Sequence, residues 1–174
     1  MKHRKVKKSS GGQNVYSEDL IESKYWESLT LVQMNTQQWE AICDGCARCC
    51  LHKFVDDDSS SDTQVYFTNI ACKQLNDRTC ACSSYENRKA YVPDCVSLSK
   101  ENLASIDFLP PSCSYRRMNE GKGLASWHPL LNQGKKTRMH ELGISVRNKV
   151  VAESDAALDD FENHIVTWPL SQID

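Results

Sequence analysis

Residues 43–50 read CysAspGlyCysAlaArgCysCys and place four thiols in eight positions around one glycine. Thiols at this density belong to a disulfide framework, to a reactive thiol centre or to a metal site. If a helix continued through the motif, all four sulfurs would lie on one side of it. Gly45 instead favours a turn, in which backbone amides face the sulfurs. Both geometries bring the thiols together, so we expect the fold to be organised around this motif.

Two features of the whole chain argue against a disulfide framework. The count of nine cysteines is odd, which would leave one thiol unpaired. No apolar segment resembles a signal peptide or approaches the roughly 18 consecutive apolar residues of a membrane span. We therefore predict a cytoplasmic protein with no membrane partner, in a compartment where thiols stay reduced.

Length and charge predict one domain preceded by a basic arm. The 174 residues suit a single core, and a content of 40% hydrophobic and 25% charged residues is typical of a globular chain. The net charge of -2 includes five positive charges among the first eight residues, so the rest of the chain carries about -7 and would repel nucleic acid. We expect a flexible basic arm over residues 1–16, a cysteine-cluster domain over residues 17–174, and no nucleic-acid partner.

Local patterns predict many short elements. Capping residues and helical spacing predict helices that begin after Ser17, Asn35, Ser99, Ser112 and Ser154. A brief helix is expected from Cys72, strands are expected at residues 65–68 and 144–151, and the acidic, serine-rich residues 56–63 predict a loop. The fold class is α+β, a small, helix-rich irregular domain with little sheet, organised around a cysteine metal centre.

The remaining cysteines fall in the middle of the chain, at Cys72, Cys80, Cys82, Cys95 and Cys113. Burial as a small hydrophobic residue explains one or two cysteines, but it does not explain nine within residues 43–113. Thiolates suit soft metal ions, namely zinc, copper(I) or the iron of an iron–sulfur cluster. Two tetrahedral sites of four cysteines each would use eight of the nine. One structural zinc ion contributes about 10 to 16 kcal/mol to folding, so metal loss should unfold this region.

Iron competes with zinc for this motif. Cys43, Cys46 and Cys49 reproduce the CxxCxxC opening of a ferredoxin-type sequence, but no CysPro pair follows. A fourth ligand would come from a distant residue, for instance Cys72 or Cys113. Adjacent cysteines rarely bind one ion together, so one of the last two thiols of the motif faces a second metal or stays outside the ligand set. A multinuclear cluster bridged by thiolates also remains open.

A succession of segments resembles a known bacterial family: CDGCARCC, YFTNIACKQL, TCACSSYENR, DCVSL, LPPSCSYR, WHPLL and ISVR. The family is named for its CxxCxxCC signature and described as zinc- or iron-chelating, and the chain looks like its cytoplasmic cysteine-cluster subgroup. The resemblance covers about residues 20–165 and implies that all nine cysteines belong to the family pattern. A distant form of the signature occurs in flagellin lysine methylases, where it looks like an iron–sulfur site. Nothing else in this chain resembles that enzyme.

Histidines and redox motifs offer further candidates. His52 lies two residues after the motif and could complete a site of three cysteines and one histidine, and His128 could be a remote ligand. His140 and Glu141 begin a HExxH zinc motif, but Ile144 stands where the second histidine is needed. A thioredoxin-like site would need alternating long strands and helices, which the pattern lacks.

These observations predict a metal-binding protein that holds zinc or iron, the latter as an ion or an iron–sulfur cluster, with no reaction assigned. Its candidate ligands are Cys43, Cys46, Cys49, Cys50, Cys72, Cys80, Cys82, Cys95 and Cys113. Two alternatives from other classes are an iron–sulfur redox or modifying enzyme and a structural zinc module that recruits a protein partner.

Overall fold

The structure is a computed structural model that describes residues 15–56 and 64–172. The predicted basic arm and the predicted acidic loop lie outside these residues, except at positions 15, 16 and 56. Within the described ranges, no helix is both long enough and apolar enough to cross a membrane.

Short helices make up much of the described chain. The α-helices are α1 (Glu18–Ser23), α2 (Thr36–Glu40), α3 (Arg88–Tyr91), α4 (Ser114–Asn119) and α5 (Thr137–Glu141). Turns of 3-10 helix lie at Tyr25–Glu27, Leu31–Gln33, Arg48–Cys50, Leu103–Ser105, Pro129–Leu131, Glu153–Asp155, Leu158–His164 and Trp168–Leu170.

Local capping explains where the first two helices begin and end. The predicted cap of α2 is confirmed, because the Asn35 side chain accepts a hydrogen bond from the Gln38 amide at 2.9 Å and the Gln38 side chain accepts one from the Asn35 amide at 2.9 Å. Helix α1 begins after Ser17 as predicted, but it is shorter than its apolar spacing indicates. Lys24 adopts a left-handed φ of 47° and ends it.

The described part of the chain also contains two small sheets. In the larger sheet, β1 (Leu51–Asp56) pairs antiparallel with β2 (Gln64–Ala71), and β5 (Val151–Ala152) pairs parallel with β2. The smaller sheet is a hairpin of β3 (Leu75–Asn76) and β4 (Ala81–Cys82). This mixture of short helices and small sheets confirms the α+β prediction.

Four predicted elements are wrong. The helices expected after Ser99 and Ser154 form only 3-10 turns, at Leu103–Ser105 and at Glu153–Asp155 and Leu158–His164. The predicted strand at 65–68 lies inside β2, but the one at 144–151 is reduced to β5, which begins at Val151. Ile144 and Val146 are apolar because they pack in different core clusters, and the Val146 amide donates to the Cys46 carbonyl at 3.1 Å rather than to a strand. The brief helix expected from Cys72 is absent from this described segment, which turns directly into β3.

Among residues 15–56 and 64–172, buried apolar side chains form three clusters, and the cysteine motif passes between two of them. The first cluster packs α1, α2 and α4 together through residues that include Leu20, Trp39 and Tyr115. Cys46 belongs to the second cluster with Trp127 and Met139, whereas the next residue, Ala47, belongs to the third with Phe67. Burial of a side chain such as Phe67 stabilises the fold by about 1.5 to 3 kcal/mol. The motif therefore joins separate parts of the core.

Candidate metal centre

The cysteine motif forms a turn rather than a continuation of α2. The Asp44 carboxylate accepts a hydrogen bond from the Cys46 amide at 2.8 Å, as aspartate does in tight turns. Gly45 has a φ of 72°, a left-handed conformation that glycine adopts without a steric penalty. The Arg48–Cys50 segment then forms a single 3-10 turn that leads into β1. Of the two geometries that the sequence allows, the turn is the one observed.

Asp44 connects the motif to a distant helix. Its side chain is only 2% exposed, and its second oxygen accepts a hydrogen bond from the Ser114 hydroxyl at 2.6 Å across 70 residues of sequence. Ser114 is the first residue of α4 and follows Cys113 directly. The contact therefore brings the thiol of Cys113 to the motif.

Four thiols surround this contact, and we call them the first thiol group: Cys43, Cys46, Cys49 and Cys113. Desolvation by the surrounding protein raises the pKa of Cys43, with smaller contributions from the charges of Asp44, Cys49 and Cys113. Desolvation also raises the pKa of Cys46, followed by Asp44 and Cys49, and the same causes raise the pKa of Cys113 to about 12. These charge effects and the Asp44–Ser114 contact place the four thiols in one part of the structure. Cys49 acts on all three of the others, so it is central to the group.

Four more thiols form a second group, made of Cys50, Cys72, Cys82 and Cys95. The Cys72 amide donates a hydrogen bond to the Cys50 carbonyl at 3.0 Å, and Cys82 faces Leu75 across the β3–β4 hairpin. Desolvation raises the pKa of Cys72, and the charges of Glu153, Cys82 and Cys95 raise it further. The second group therefore shares the motif with the first group through Cys50 and takes its other members from residues 72–95.

The two groups meet at the adjacent residues Cys49 and Cys50. Their sulfur atoms are 4.0 Å apart. The hydrogen bond from Cys50 lowers the pKa of Cys49 to about 7, and the same interaction raises the pKa of Cys50. Cys49 is thus the thiol of this pair that ionises first, with Cys50 as the hydrogen-bond donor.

Lys53 supplies a positive charge beside this junction. Its ammonium donates to the Cys49 carbonyl at 2.9 Å and lies 4.8 Å from the ring centre of Phe108. Desolvation lowers the pKa of Lys53. The thiolate charges of both groups raise this pKa and so reduce the decrease. The Lys53 charge helps to lower the pKa of Cys49. For Cys50, whose pKa is raised overall, the same charge makes the increase smaller. Lys53 therefore favours the thiolate forms that bind metal.

Arg48, in the middle of the motif, is fully buried and hydrogen-bonded on every side. Its Nε donates to the Ile144 carbonyl at 2.6 Å, and Nη1 donates to the Ser112 hydroxyl at 3.0 Å and to the Pro169 carbonyl at 2.9 Å. Nη1 also donates to the Ser171 carbonyl at 3.0 Å. One side chain of the motif thereby holds the C-terminal segment against the cysteines.

The ninth cysteine, Cys80, lies apart from both groups. It is 4% exposed and packs with Leu51, Phe67 and Val146 in the third core cluster. Its thiol donates a weak hydrogen bond to the Asp77 carbonyl at 3.7 Å. All nine cysteines are free thiols.

The two candidate histidines make other interactions. His128 is fully buried, its Nδ1 accepts from the Leu130 amide at 3.0 Å, and its Nε2 lies 3.0 Å from the Ile42 carbonyl. Both nitrogens are therefore occupied, which leaves no lone pair for a metal. His52 points to Glu153, with 3.0 Å between Nε2 and the carboxylate.

The donor set fits a soft metal, although the sulfurs are not drawn together as ligands. Within residues 15–56 and 64–172, no three side chains of cysteine, histidine, aspartate or glutamate stand close enough to hold an ion as they are positioned. Each group nevertheless offers four thiols, and the carboxylates beside them, Asp44 and Glu153, are engaged in hydrogen bonds. Sulfur donors of this kind are the ligands that zinc and iron–sulfur clusters require.

The residues that support the thiols were not predicted from the sequence. Asp44 had a local signal, because the AspGly pair of the motif is typical of a turn. Lys53 had no local signal, because its position depends on β1. The sequence pattern did not predict that strand. The burial of Arg48 depends on partners that follow it by up to 123 residues.

Comparisons with known proteins agree with the cysteine pattern. Residues 42–114 match the CxxCxxCC family model, described as "Putative zinc- or iron-chelating domain". A UPF0260 protein of Enterobacter sp. (strain 638) is 51% identical over 150 residues, which cover 86% of this chain and 98% of the relative. UPF0260 proteins of Rhizobium johnstonii and Escherichia coli are each 48% identical, over 84% and 83% of this chain and 90% and 91% of the relative. No solved structure matches the chain.

Proposed function

Because this chain belongs to the UPF0260 family and carries the CxxCxxCC domain, we propose that it is a metal-binding protein that holds zinc or iron through cysteine thiolates. The ligands of the central site in this proposal are Cys43, Cys46, Cys49 and Cys113. These four residues would hold the ion as thiolates, which are the ligands that zinc and iron–sulfur clusters take in proteins.

One observation carries the proposal. Four soft donors from two distant parts of the chain lie around the buried Asp44 carboxylate, because Cys43, Cys46 and Cys49 belong to the motif that carries Asp44 and Cys113 directly precedes Ser114. The hydrogen bond from Ser114 to Asp44 supports their convergence, because it joins the segment of Cys113 to the motif. Cysteines that served only as small apolar core residues would have no reason to gather around one buried carboxylate, and Cys43 and Cys49 are exposed rather than buried in the core.

The position of the motif favours a structural role for the ion. The first thiol group connects the segment after α2 with the start of α4, and the motif itself passes between two core clusters. A bound zinc ion supplies thiolate bonds that cross-link these segments, whereas an iron–sulfur cluster in the same ligands would also carry an electron. We further propose the cytoplasm as the compartment, because free thiols persist in reducing conditions.

Metal analysis of protein purified without oxygen tests the proposal. We expect a stoichiometric amount of zinc or iron, with visible sulfur-to-iron absorption bands if iron is the metal. Cys46→Ser and Cys113→Ser should each lower the metal content, whereas the matched control Cys80→Ser should retain it because Cys80 packs in an apolar cluster. Metal-free parent protein, or full metal retention in both test variants, contradicts the proposal.

A further inference from the structure

A basic surface lies beside the cysteine motif. Its cations come from the turn between β3 and β4, from α5 and the residues just before it, and from the segment that follows α5. We call it the α5 basic surface, and its members are Arg78, Lys135, Lys136, Arg138 and Arg147. All of them are exposed except Lys136, which is half-buried. The surface contrasts with the whole chain, whose net charge is -2.

Hydrogen bonds bring these cations together from separate segments. The Arg147 Nε donates to the Arg78 carbonyl at 2.8 Å, so the Arg147 side chain lies across the turn of the β3–β4 hairpin. Arg147 follows Ser145 by two residues, and the Ser145 hydroxyl lies 2.7 Å from Nδ1 of His140. The His140 amide donates to the Lys136 carbonyl at 3.1 Å, one helical turn earlier. These contacts therefore connect the hairpin to α5.

The positive charges of this surface are not neutralised. Within residues 15–56 and 64–172, none of its five members forms an ion pair with a carboxylate. The acidic residues adjacent in sequence are Asp77 and Glu141, which leaves a local net charge of +3. Desolvation lowers the pKa of His140, and the charges of Arg147 and Lys136 lower it further. Because like charges held together destabilise a compact fold, an acidic ligand would relieve this repulsion.

Two of the cations are held in place by the fold. The Nε bond fixes the guanidinium of Arg147, whereas its two terminal nitrogens donate to no acceptor in the described part of the chain. The ammonium of Lys136 lies against Gly45, where any larger side chain would collide with it. Groups that are already ordered lose less conformational entropy when a partner binds. The surface is therefore preorganised for a ligand.

We propose that the α5 basic surface docks a short acidic segment of a partner protein. Three of its five cations are arginines, whose planar guanidinium groups bind carboxylates through two parallel hydrogen bonds. Contact between Lys136 and Gly45 places the docked segment beside the cysteine motif. The inference goes beyond metal binding, since it depends neither on the identity of the ion nor on its presence.

Nucleic acid fits this surface less well than an acidic protein segment does. Single strands stack their bases on exposed aromatic rings, but the exposed aromatic side chains of the described chain lie on β1, β2 and residues 85–91. A longer nucleic acid also needs phosphate contacts beyond the surface. The segment that follows β5 instead carries five acidic residues between positions 153 and 162. These features favour a ligand that is short and carries carboxylates.

Fluorescence anisotropy with a labelled hexaglutamate peptide tests the proposal on the full-length protein as purified. We expect saturable binding that weakens between about 50 mM and about 200 mM salt, because salt screens exposed charges. A hexaglutamine peptide should not bind. Arg138→Glu and Arg147→Glu should each weaken binding by about fivefold, which corresponds to the loss of one exposed ion pair. The matched control Lys89→Glu changes the net charge equally at an exposed position of α3 and should stay within about twofold of the parent.

Other results would overturn the proposal. Absence of saturable hexaglutamate binding does so, as do equal losses in the control and in the two test variants. Unchanged binding in both test variants assigns the peptide to another basic segment, such as residues 1–8, and also overturns it. A single-stranded RNA of about 12 nucleotides that binds more tightly and needs the same arginines would replace the acidic protein by nucleic acid. If Arg147→Glu does not fold, Arg138→Glu decides, because the Arg138 side chain makes no hydrogen bond within the described residues.

Discussion

The guanidinium of Arg48 and the carbonyl of Pro169 are 2.9 Å apart, although 121 residues of sequence separate them. This contact means that the middle of the cysteine motif and the C-terminal segment are held as one unit. Desolvation raises the pKa of Cys46, and the positive charge of Arg48 makes this increase smaller. Structural and electrostatic roles therefore coincide at one side chain.

Replacement of Arg48 by lysine should destabilise the fold. Lysine retains the charge but cannot reproduce a planar donor set that reaches Ile144, Ser112 and Pro169 together. Each buried acceptor left without a donor costs about 1 to 3 kcal/mol, so we expect Arg48→Lys to lower the free energy of unfolding in urea by at least about 3 kcal/mol.

A surface arginine provides the control for this measurement. Arg116 forms an exposed ion pair with Glu120 at 2.8 Å, and Arg116→Lys should change the free energy of unfolding by less than about 1 kcal/mol. Equal effects of the two substitutions would contradict the structural role of Arg48.

Removal of the metal should destabilise the protein rather than leave an intact apo form. Apart from a bound metal, the motif joins its segments through a few hydrogen bonds and modest apolar clusters. Typical domains have only about 5 to 15 kcal/mol of total stability, so the loss of metal–thiolate bonds is a large fraction of it. We expect a zinc and iron chelator to lower the thermal midpoint of the parent, and equimolar metal to restore it. A midpoint that is independent of chelator, in protein shown to have lost its metal, would argue against a structural ion.

Lys53 should strengthen metal binding through its charge. Lys53→Met retains the apolar stem beside Phe108 but removes the ammonium near Cys49. We expect a loss of about tenfold in zinc affinity, which corresponds to roughly 1.4 kcal/mol. Competition with a chromophoric chelator measures the affinity. Lys53→Arg, which keeps the positive charge, should remain within about threefold of the parent on the same scale. Equal losses in both variants would assign the effect to packing.

His140 should make stability depend on pH. Desolvation and the charges of Arg147 and Lys136 lower its pKa to about 4, below the ordinary value of about 6.5. Between these values the unfolded chain binds one more proton than the folded chain. This contribution to stability is therefore complete above about pH 6.5 and is lost as the pH falls towards 4.

The variant His140→Asn tests this pH dependence. It removes the titrating ring, which lies 2.7 Å from the Ser145 hydroxyl, while leaving the thiols unchanged. Unfolding in urea, followed from about pH 7 to about pH 4, should show a shallower decline for the variant than for the parent. Because proton competition at the thiols is common to both proteins, the difference isolates His140. Identical slopes would exclude its contribution.

Local features could be predicted from the sequence because neighbouring residues decide them. The capping box of Asn35 and Gln38 spans only four positions, and the strand at residues 65–68 follows from local composition. The helix predicted after Ser112 begins at Ser114 without a side-chain cap, and the Ser112 hydroxyl accepts a hydrogen bond from Arg48 instead. The density of thiols in the motif by itself indicates metal chemistry, since soft donors at that spacing have few other uses.

The tertiary structure decided which distant groups meet, because this depends on chain crossings that no local pattern records. Ile144 and Val146 appeared to form a strand, yet their apolar character reflects burial in two different clusters. His128 appeared free to bind a metal, yet the fold occupies both of its ring nitrogens. Only the tertiary structure separates Cys80 from the other cysteines, since the packing of a side chain depends on residues far from it in sequence.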